Sequence, residues 1–522
     1  MFYRLRRLFC ATCLLSIGVN STAAQENILQ YESLSLLDVI KISLENNNQI
    51  KISEVFANVS EQNIEIQEGQ FDSQIQASGT FTGAENPTQN PQSSVLNIIG
   101  VDNQSSSFSG GIQKRLKSSA LVSLTMSSDA TGDEFSGQNF NESGSSVLGF
   151  NVTLPLWKGR GSYLTTLPLE LAKLNFDAST LDLKHQIDIN IFQTVANYWN
   201  YRGASETLTL LREAEKRSGK MLADIQALID ADELPRSELN VVKAQLSQRR
   251  GARLRGEQNF IDAKATLTGN LGIVLPASTD KNMPTTKLAE PDTSREAYGS
   301  LQPEALMRST MLLRNDFSAL NVRIDIASKQ IELANDATKP TLNFVAGGNY
   351  KTFESNNSPF SSLNAHSYGP DWSVGISYSY ALKQISAKAN KQIAFLGLTQ
   401  RKIEKNELQR ATTADLNSAL FGFIQSSKRH AEALERHQLS VQNLASERNK
   451  FSLDAATILD ILTIENQLLQ SELDVIQQRV NYGSILVRLM FVTGRLGDAA
   501  NESFNIKELR TGKGFIEALI RN

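Results

Sequence analysis

Apolar positions recur at helical spacing from Leu34 to Glu68, with a break near Asn46-Asn47-Asn48. Phe71 to Gly83 then changes to a period of two. Phe71, Ser73, Ile75, Ala77, Gly79 and Phe81 fall on one side, and Asp72, Gln74, Gln76, Ser78, Thr80 and Thr82 on the other. Leu148, Phe150, Val152, Leu154 and Leu156 alternate again, so strands are predicted at about 71–83 and 146–156. Helical spacing returns over 162–229 and, after a break at Asp230–Pro235, over 236–268. The second half has the same order. Leu301–Asp336 is helical, strands are expected at about 341–350 and 371–381, and long helices at 384–453 and 457–493.

The two halves superpose by hand. Ile50 matches Phe317 and Ile64 matches Ile331 at an offset of 267. Gln245 matches Gln470 and Thr268-Gly269 matches Thr493-Gly494 at an offset of 225. The difference is 42 residues, placed in a Ser-, Gly- and Asn-rich insert at 84–145. That insert is expected to be an outer loop or a hairpin, Phe108–Leu116 and Ala120–Met126 about Lys117-Ser118, or else two added strands. The chain thus divides into a first structural repeat at 25–275, a linker at 276–300, a second repeat at 301–497 and a tail at 498–522. Internal duplication explains the repeated element order better than chance matching of a few letters.

The helices at 162–229 and 384–453 each run to about 100 Å at 1.5 Å per residue and need partners along their length. Leu462, Asn466, Leu469, Leu473, Ile476, Val480, Gly483, Val487 and Met490 alternate by four and three, which is a coiled-coil seam. The strands are about 10–12 residues long, with one face apolar or aromatic and the other Ser, Thr, Asn and Gln. A transmembrane strand needs about 9–11 residues with that alternation. A soluble half-buried sheet has the same local pattern. Trp157, Trp372, Tyr378 and Tyr380 lie along or at the ends of these strands, where interfacial aromatics anchor a barrel. Four strands do not close a transmembrane barrel, because the smallest have about eight. An oligomer is therefore expected.

Composition narrows the classes. Only 12 Pro occur in 522 residues, which suits long helices. Arg4, Arg6 and Arg7, the apolar run Leu8–Val19 and the small residues Ser21–Ala24 have the layout of a signal peptide over residues 1–24. Both cysteines, Cys10 and Cys13, lie inside it. Loss of three Arg changes the net charge from -3 to -6. Nothing there suggests nucleic-acid binding. No later run reaches 18 apolar residues, so a membrane crossing by the mature chain would be a β-barrel. The four histidines, His185, His366, His430 and His437, are scattered and do not make a metal site. Gly159-Arg160-Gly161 lacks the third glycine of a dinucleotide loop, and no nucleophile elbow is present. No cofactor and no catalysis are expected.

The arrangement resembles the TolC-like outer membrane efflux protein family over nearly the whole mature chain. The segments that carry the resemblance are LSLLDVIKISLENNNQIKISE, VLGFNVTLPLWKGRGS and FSLDAATILDILTIENQLLQSELDVIQQRVNYGSILVRLMFVTG. Asn48 stands where the family has a proline. The resemblance implies an α+β membrane protein. A homotrimer forms a β-barrel in the outer membrane, about four strands from each protomer, continuous with a periplasmic α-helical coiled-coil barrel. It implies an exit duct of a Gram-negative bacterium for efflux or type I secretion. A periplasmic adaptor and an inner-membrane pump, ABC or proton-driven, would serve it.

By the same resemblance the helix breaks become the tunnel ends. Asp460, flanked by Thr457 and Thr463, would sit at the pore constriction. Thr463 and Ala456 replace a family acid and a family base. Asp232, Glu233, Leu234, Pro235 and Arg236, with Asp454, Ala455 and Ala456, would be adaptor-docking turns. From the residues alone, Asp460 is also an ordinary helix-start acid. The competing class is a periplasmic coiled-coil interaction or adaptor protein with a soluble β domain.

Overall fold

A computed structural model describes residues 33–89, 98–135, 138–291, 303–354, 367–453 and 455–496. The signal segment, the tail, His366, Asp454 and linker residues 292–300 lie outside these. In chain order the elements are β1 (Ser33–Leu34), α1 (Leu36–Asn46), α2 (Asn48–Glu68), β2 (Ser73–Gln89), β3 (Ile98–Arg115), β4 (Leu121–Phe135) and β5 (Gln138–Pro155). Then come α3 (Ser162–Asp230), α4 (Glu238–Leu271), β6 (Met283–Pro284), α5 (Pro303–Leu313), α6 (Asn315–Ala337), β7 (Thr341–Glu354), β8 (Ser367–Ser379), α7 (Ile385–Phe451) and α8 (Ile458–Val492). No described helix is long and apolar enough to cross a membrane.

The chain folds into two compact units, and neither is a continuous stretch. One takes residues up to 56, 179–319 and from 405 onward; the other takes 57–178 and 320–404. Each unit therefore draws on both halves of the sequence.

The first unit is helical. Its core is aromatic, with Tyr198, Trp199, Tyr201, Phe260, Phe423 and Tyr482 essentially inaccessible. Complete burial of a residue such as Phe423 contributes about 1.5–3 kcal/mol. Three side chains of α3 reach out of this core and fix the short parallel pair β1–β6. Tyr198 donates to the Leu34 carbonyl at 3.0 Å, Tyr201 to the Asn282 carbonyl at 2.8 Å, and Arg202 to the Pro284 carbonyl at 2.7 Å. The seam positions of α8 are buried or half-buried. The approach of α3 to α8 is set by two glycines. A Cβ on Gly203 would lie 2.3 Å from Val480 Cγ2, and one on Gly483 3.0 Å from the Trp199 ring.

The break between α1 and α2 is built by Asn47. Its Oδ1 accepts from the Gln49 and Ile50 amides at 2.8 and 3.3 Å, and its Nδ2 donates to the Asn270 carbonyl at 2.6 Å. The asparagine side chain thus caps α2 without a proline at position 48. Helix α4 ends at Gly272 (φ +70°) and α8 at Gly494 (φ +72°), both left-handed. Gly272 lies against Asn46 and Gly494 against Leu313 and Arg314. These glycines are 222 residues apart, and Leu271 and Val492 end their helices 221 apart. These spacings are about one helical turn short of the offset of 225 read from the letters. A helix presents i and i+4 on one face, so a one-turn slip leaves the apolar match intact.

Among the described residues, the second unit holds one antiparallel sheet of six strands, in the order β2-β3-β4-β5-β7-β8. This corrects the count of four. The insert is a hairpin, β3–β4, hydrogen-bonded between β2 and β5 along its whole length. The alternation at Phe108–Leu116 and Ala120–Met126 therefore belongs to two added strands and not to an outer loop, although Ser, Gly, Asn and Asp fill many of their positions. The strands are also 13–18 residues long, beyond the expected 10–12. Beside the sheet, Leu167 and Leu171 of α3 pack on Ile326 of α6.

Candidate functional site

The strand registers sort the side chains of the sheet onto two faces. One row runs Ile75, Ile112, Leu124, Phe150, Gly348 and Trp372 across all six strands. The next row toward the strand ends carries Ser73 and Lys114 on β2 and β3 and then Val122, Val152, Ala346 and Val374, and the one beyond it Leu154, Phe344 and Ile376. On the other side of the central row lie Ala77, Gly110, Met126, Leu148 and Tyr350. This apolar face is open to solvent in the single chain. Trp372 is 80% exposed, Ile75 79% and Ile376 70%. On β7 it extends from Leu342 to Tyr350, nine residues, before Ser128, Ser146 and Thr352 begin a polar stretch. Nine residues of strand is the height of a bilayer core crossed at a tilt. Tyr378 lies on the same face opposite Leu342, while Trp157 and Tyr380 stand just past β5 and β8 and are half exposed.

The opposite face is polar and is tied together across the strands. Gln113 donates to Gln74 at 2.8 Å, Ser78 and Ser109 are 2.8 Å apart, and Ser107 donates to Asp129 at 2.5 Å. Thr131 and Ser143 are 2.9 Å apart, and Asn349 donates to Asp371 at 2.8 Å. Val147, Val345 and Phe353 interrupt this polar surface. A Cβ at Gly149 would lie 2.7 Å from Asn349 Oδ1, so that amide would have to shift to admit a side chain there.

In the helical unit the structure brings the two predicted helix turns together. Ile225, Ile229, Val242, Ile458 and Leu462 form one cluster, with Leu234, Leu239 and Phe451 packed on it. The first turn is a Schellman motif. The Glu233 amide bonds the Leu228 carbonyl at 2.9 Å and the Asp232 amide the Ile229 carbonyl at 3.1 Å, with Asp232 left-handed at φ +59°. Asp232, Glu233, Pro235, Arg236 and Ala455 are exposed. Leu234 turns into the apolar cluster and is half-buried, as is Ala456. Asp454 lies outside the described residues.

Thr457 and Asp460 form a capping box at the start of α8. Asp460 Oδ2 accepts from the Thr457 amide at 2.9 Å and its hydroxyl at 2.6 Å, and the Asp460 amide donates to Thr457 Oγ1 at 3.2 Å. The Thr457 hydroxyl and then its amide hold the Asp460 carboxyl below the usual range. Thr463 is exposed and donates back to the Leu459 carbonyl at 2.8 Å.

One polar group sits inside the seam. Arg249 of α4 is buried and donates to Asn466 Oδ1 at 2.7 Å, with the Gln245 amide 3.0 Å from the same atom. The sequence signal was Asn466 itself, an amide in an otherwise apolar stripe. The histidines do other work. His185 stacks on Phe491 at 5.9 Å and lies 3.8 Å from Asp316, which Arg314 grips through both oxygens at 3.0 and 2.6 Å. Burial lowers the pKa of His185 and of His430. No group of three or more His, Cys, Asp or Glu among the described residues is placed to hold a metal.

No family model matches the sequence, and no curated protein matches it. Solved structures do. The chain superposes on the Campylobacter jejuni CmeC outer membrane channel with a TM-score of 0.64 at 14% identity, covering 91% of this chain and 89% of that one. It superposes on the Vibrio cholerae outer membrane protein VceC at 0.62 and 12%, covering 88% and 96%. For the open state of the Neisseria gonorrhoeae MtrE outer membrane channel the values are 0.61 and 15%, covering 88% and 89%. At these identities the likeness is one of fold. The fold is that of the TolC-like outer membrane factor channels.

Proposed function

We propose that this protein is an outer membrane channel-tunnel, a passive exit duct for efflux or type I secretion. The observation that carries the reading is the sheet with one solvent-open, predominantly apolar face, about a bilayer core in height and interrupted by Lys114 near one strand end, backed by a hydroxyl- and amide-rich face. In water such a face is a liability; against lipid it is the stable side. Six strands leave two unpaired edges, β2 and β8. Three copies would close them into an eighteen-stranded barrel with a wet lumen. Exposed apolar residues on helices point to the same assembly, including Phe56 on α2 and Ile393 and Phe421 on α7. The repeated order of elements, with left-handed glycines closing both α4 and α8, supports internal duplication.

The helix turns are the proposed docking points for a periplasmic adaptor, which would link the duct to an inner-membrane pump. Asp232, Glu233, Pro235, Arg236 and Ala455 offer their side chains there, while Leu234 serves the cluster beneath. Asp460 is proposed for the pore entrance, with its carboxylate already anchored by Thr457.

Fractionation tests the reading. The full-length protein is expected in the outer membrane, extractable only with detergent and cross-linking as a trimer. Recovery from the soluble periplasmic fraction would instead support the coiled-coil adaptor reading.

A further inference from the structure

The polar face of the sheet carries few charges. Among the described side chains they are Arg115, Asp129, Lys351 and Asp371. Arg115 lies at the strand end and Asp129 is bound by Ser107. Lys351 on β7 and Asp371 on the edge strand β8 pair directly, Nζ to Oδ2 at 2.6 Å. Asn349 fills the other carboxylate oxygen at 2.8 Å. The row through Asp371 reads Gln76, Gly111, Thr125, Gly149, Asn349, Asp371, and the row through Lys351 reads Ser78, Ser109, Ser127, Val147, Lys351, Gly369. Neither row holds a second charge that would compensate the loss of one partner. Gly111 and Gly149 also leave the wall bare there, so the ion pair is its electrically distinct feature. Both side chains remain about half exposed, 53% and 45%, on the side away from the apolar face.

We propose that Lys351 and Asp371 set the charge selectivity of the β-section of the duct. Paired, they cancel each other and leave their rows of the wall without net charge, so that small solutes of either sign pass. With one partner removed, the wall takes the sign of the other, three times over in a trimer. The inference rests on the duct reading, which puts this face in the lumen. It assigns the β-section to cargo indifferent to charge and leaves charge discrimination to other parts of the molecule. A fixed charge acts over about 10 Å at 0.1 M salt and about 3 Å at 1 M, so its effect on permeating ions depends on salt.

The test is the reversal potential of single channels formed by purified full-length protein in a planar lipid bilayer under a KCl gradient. In low salt, Lys351→Gln is expected to raise the potassium-to-chloride permeability ratio by roughly twofold or more, and Asp371→Asn to lower it comparably. The double variant and the exchanged pair K351D/D371K are expected to return to the wild-type ratio, and all differences are expected to shrink in 1 M salt. The exchanged pair also controls for folding, because it keeps the ion pair. Open channels with the wild-type ratio in both single variants would overturn the inference and leave the duct reading standing. Both single variants shifting in the same direction would overturn it as well. Wild-type protein that forms no channel would overturn the duct reading itself, and the inference with it.

Discussion

Gly272 sits so close to Asn46 that a Cβ on the glycine would lie 2.6 Å from the asparagine's carbonyl oxygen. The end of α4 is thereby pressed onto the break between α1 and α2, and only a residue without a side chain, in a left-handed conformation, permits it. Gly494 has the same relation to Arg314 at the break between α5 and α6, with a Cβ distance of 3.0 Å to the backbone nitrogen.

Alanine at either position adds a left-handed penalty of about 1–2 kcal/mol to the overlap. Gly272→Ala is expected to lower Tm more than Gly494→Ala, because the contact at 272 is tighter and both distances are to backbone. Thermal unfolding followed by circular dichroism in detergent checks the order.

Gly203→Ala pushes a methyl group into Val480, where overpacking costs about 1–3 kcal/mol. The companion change Val480→Ala opens space for it. The double variant is expected to be more stable than the sum of the two single losses implies, and a double-mutant cycle measures that coupling.

His430 is buried and His185 half-buried, and burial lowers their pKa in the fold below the ordinary 6.5. The unfolded chain therefore binds these protons more readily. Stability is expected to fall as pH drops below about 6.5 and to level off once the folded-state pKa is passed. His185→Gln is expected to reduce that loss. Asp316 acts in a separate window: with its pKa lowered in the fold, the stability it contributes is full above about 4 and is lost only as pH falls below that. Melting curves from pH 7.5 to 5 test the histidine effect without touching the aspartate.

At the start of α8 the cap and the charge can be separated. Thr457→Ala removes the hydroxyl of the capping box, at about 0.5–2 kcal/mol, and retains the Asp460 carboxylate. Asp460→Ala removes the acid. If Asp460 lies at the pore entrance, divalent-cation block of single-channel current weakens in Asp460→Ala and persists in Thr457→Ala. Equal block in wild type and Asp460→Ala removes the pore role and leaves the capping role.

The sequence by itself determined the elements with a strong apolar period. The four long helices were legible because their apolar stripes repeat over many turns, and the strands near Ile75 and Trp372 because apolar and polar residues alternate cleanly. Asn466 was legible as a polar interruption of a seam, although its partner Arg249 was not. Only the tertiary structure decided that the hairpin β3–β4 joins the sheet, because the sequence allowed it as an outer loop or as two added strands and its place is fixed by backbone pairing with β2 and β5. It also decided that each compact unit draws on both halves of the chain, that Leu234 turns inward while its neighbours stay exposed, and that Lys351 meets Asp371. Pattern along the chain reports which face of an element avoids water. Which elements meet, and in what register, depends on long-range pairing and on close approaches at residues such as Gly272, Gly203 and Gly149, where the absence of a side chain leaves no pattern to read.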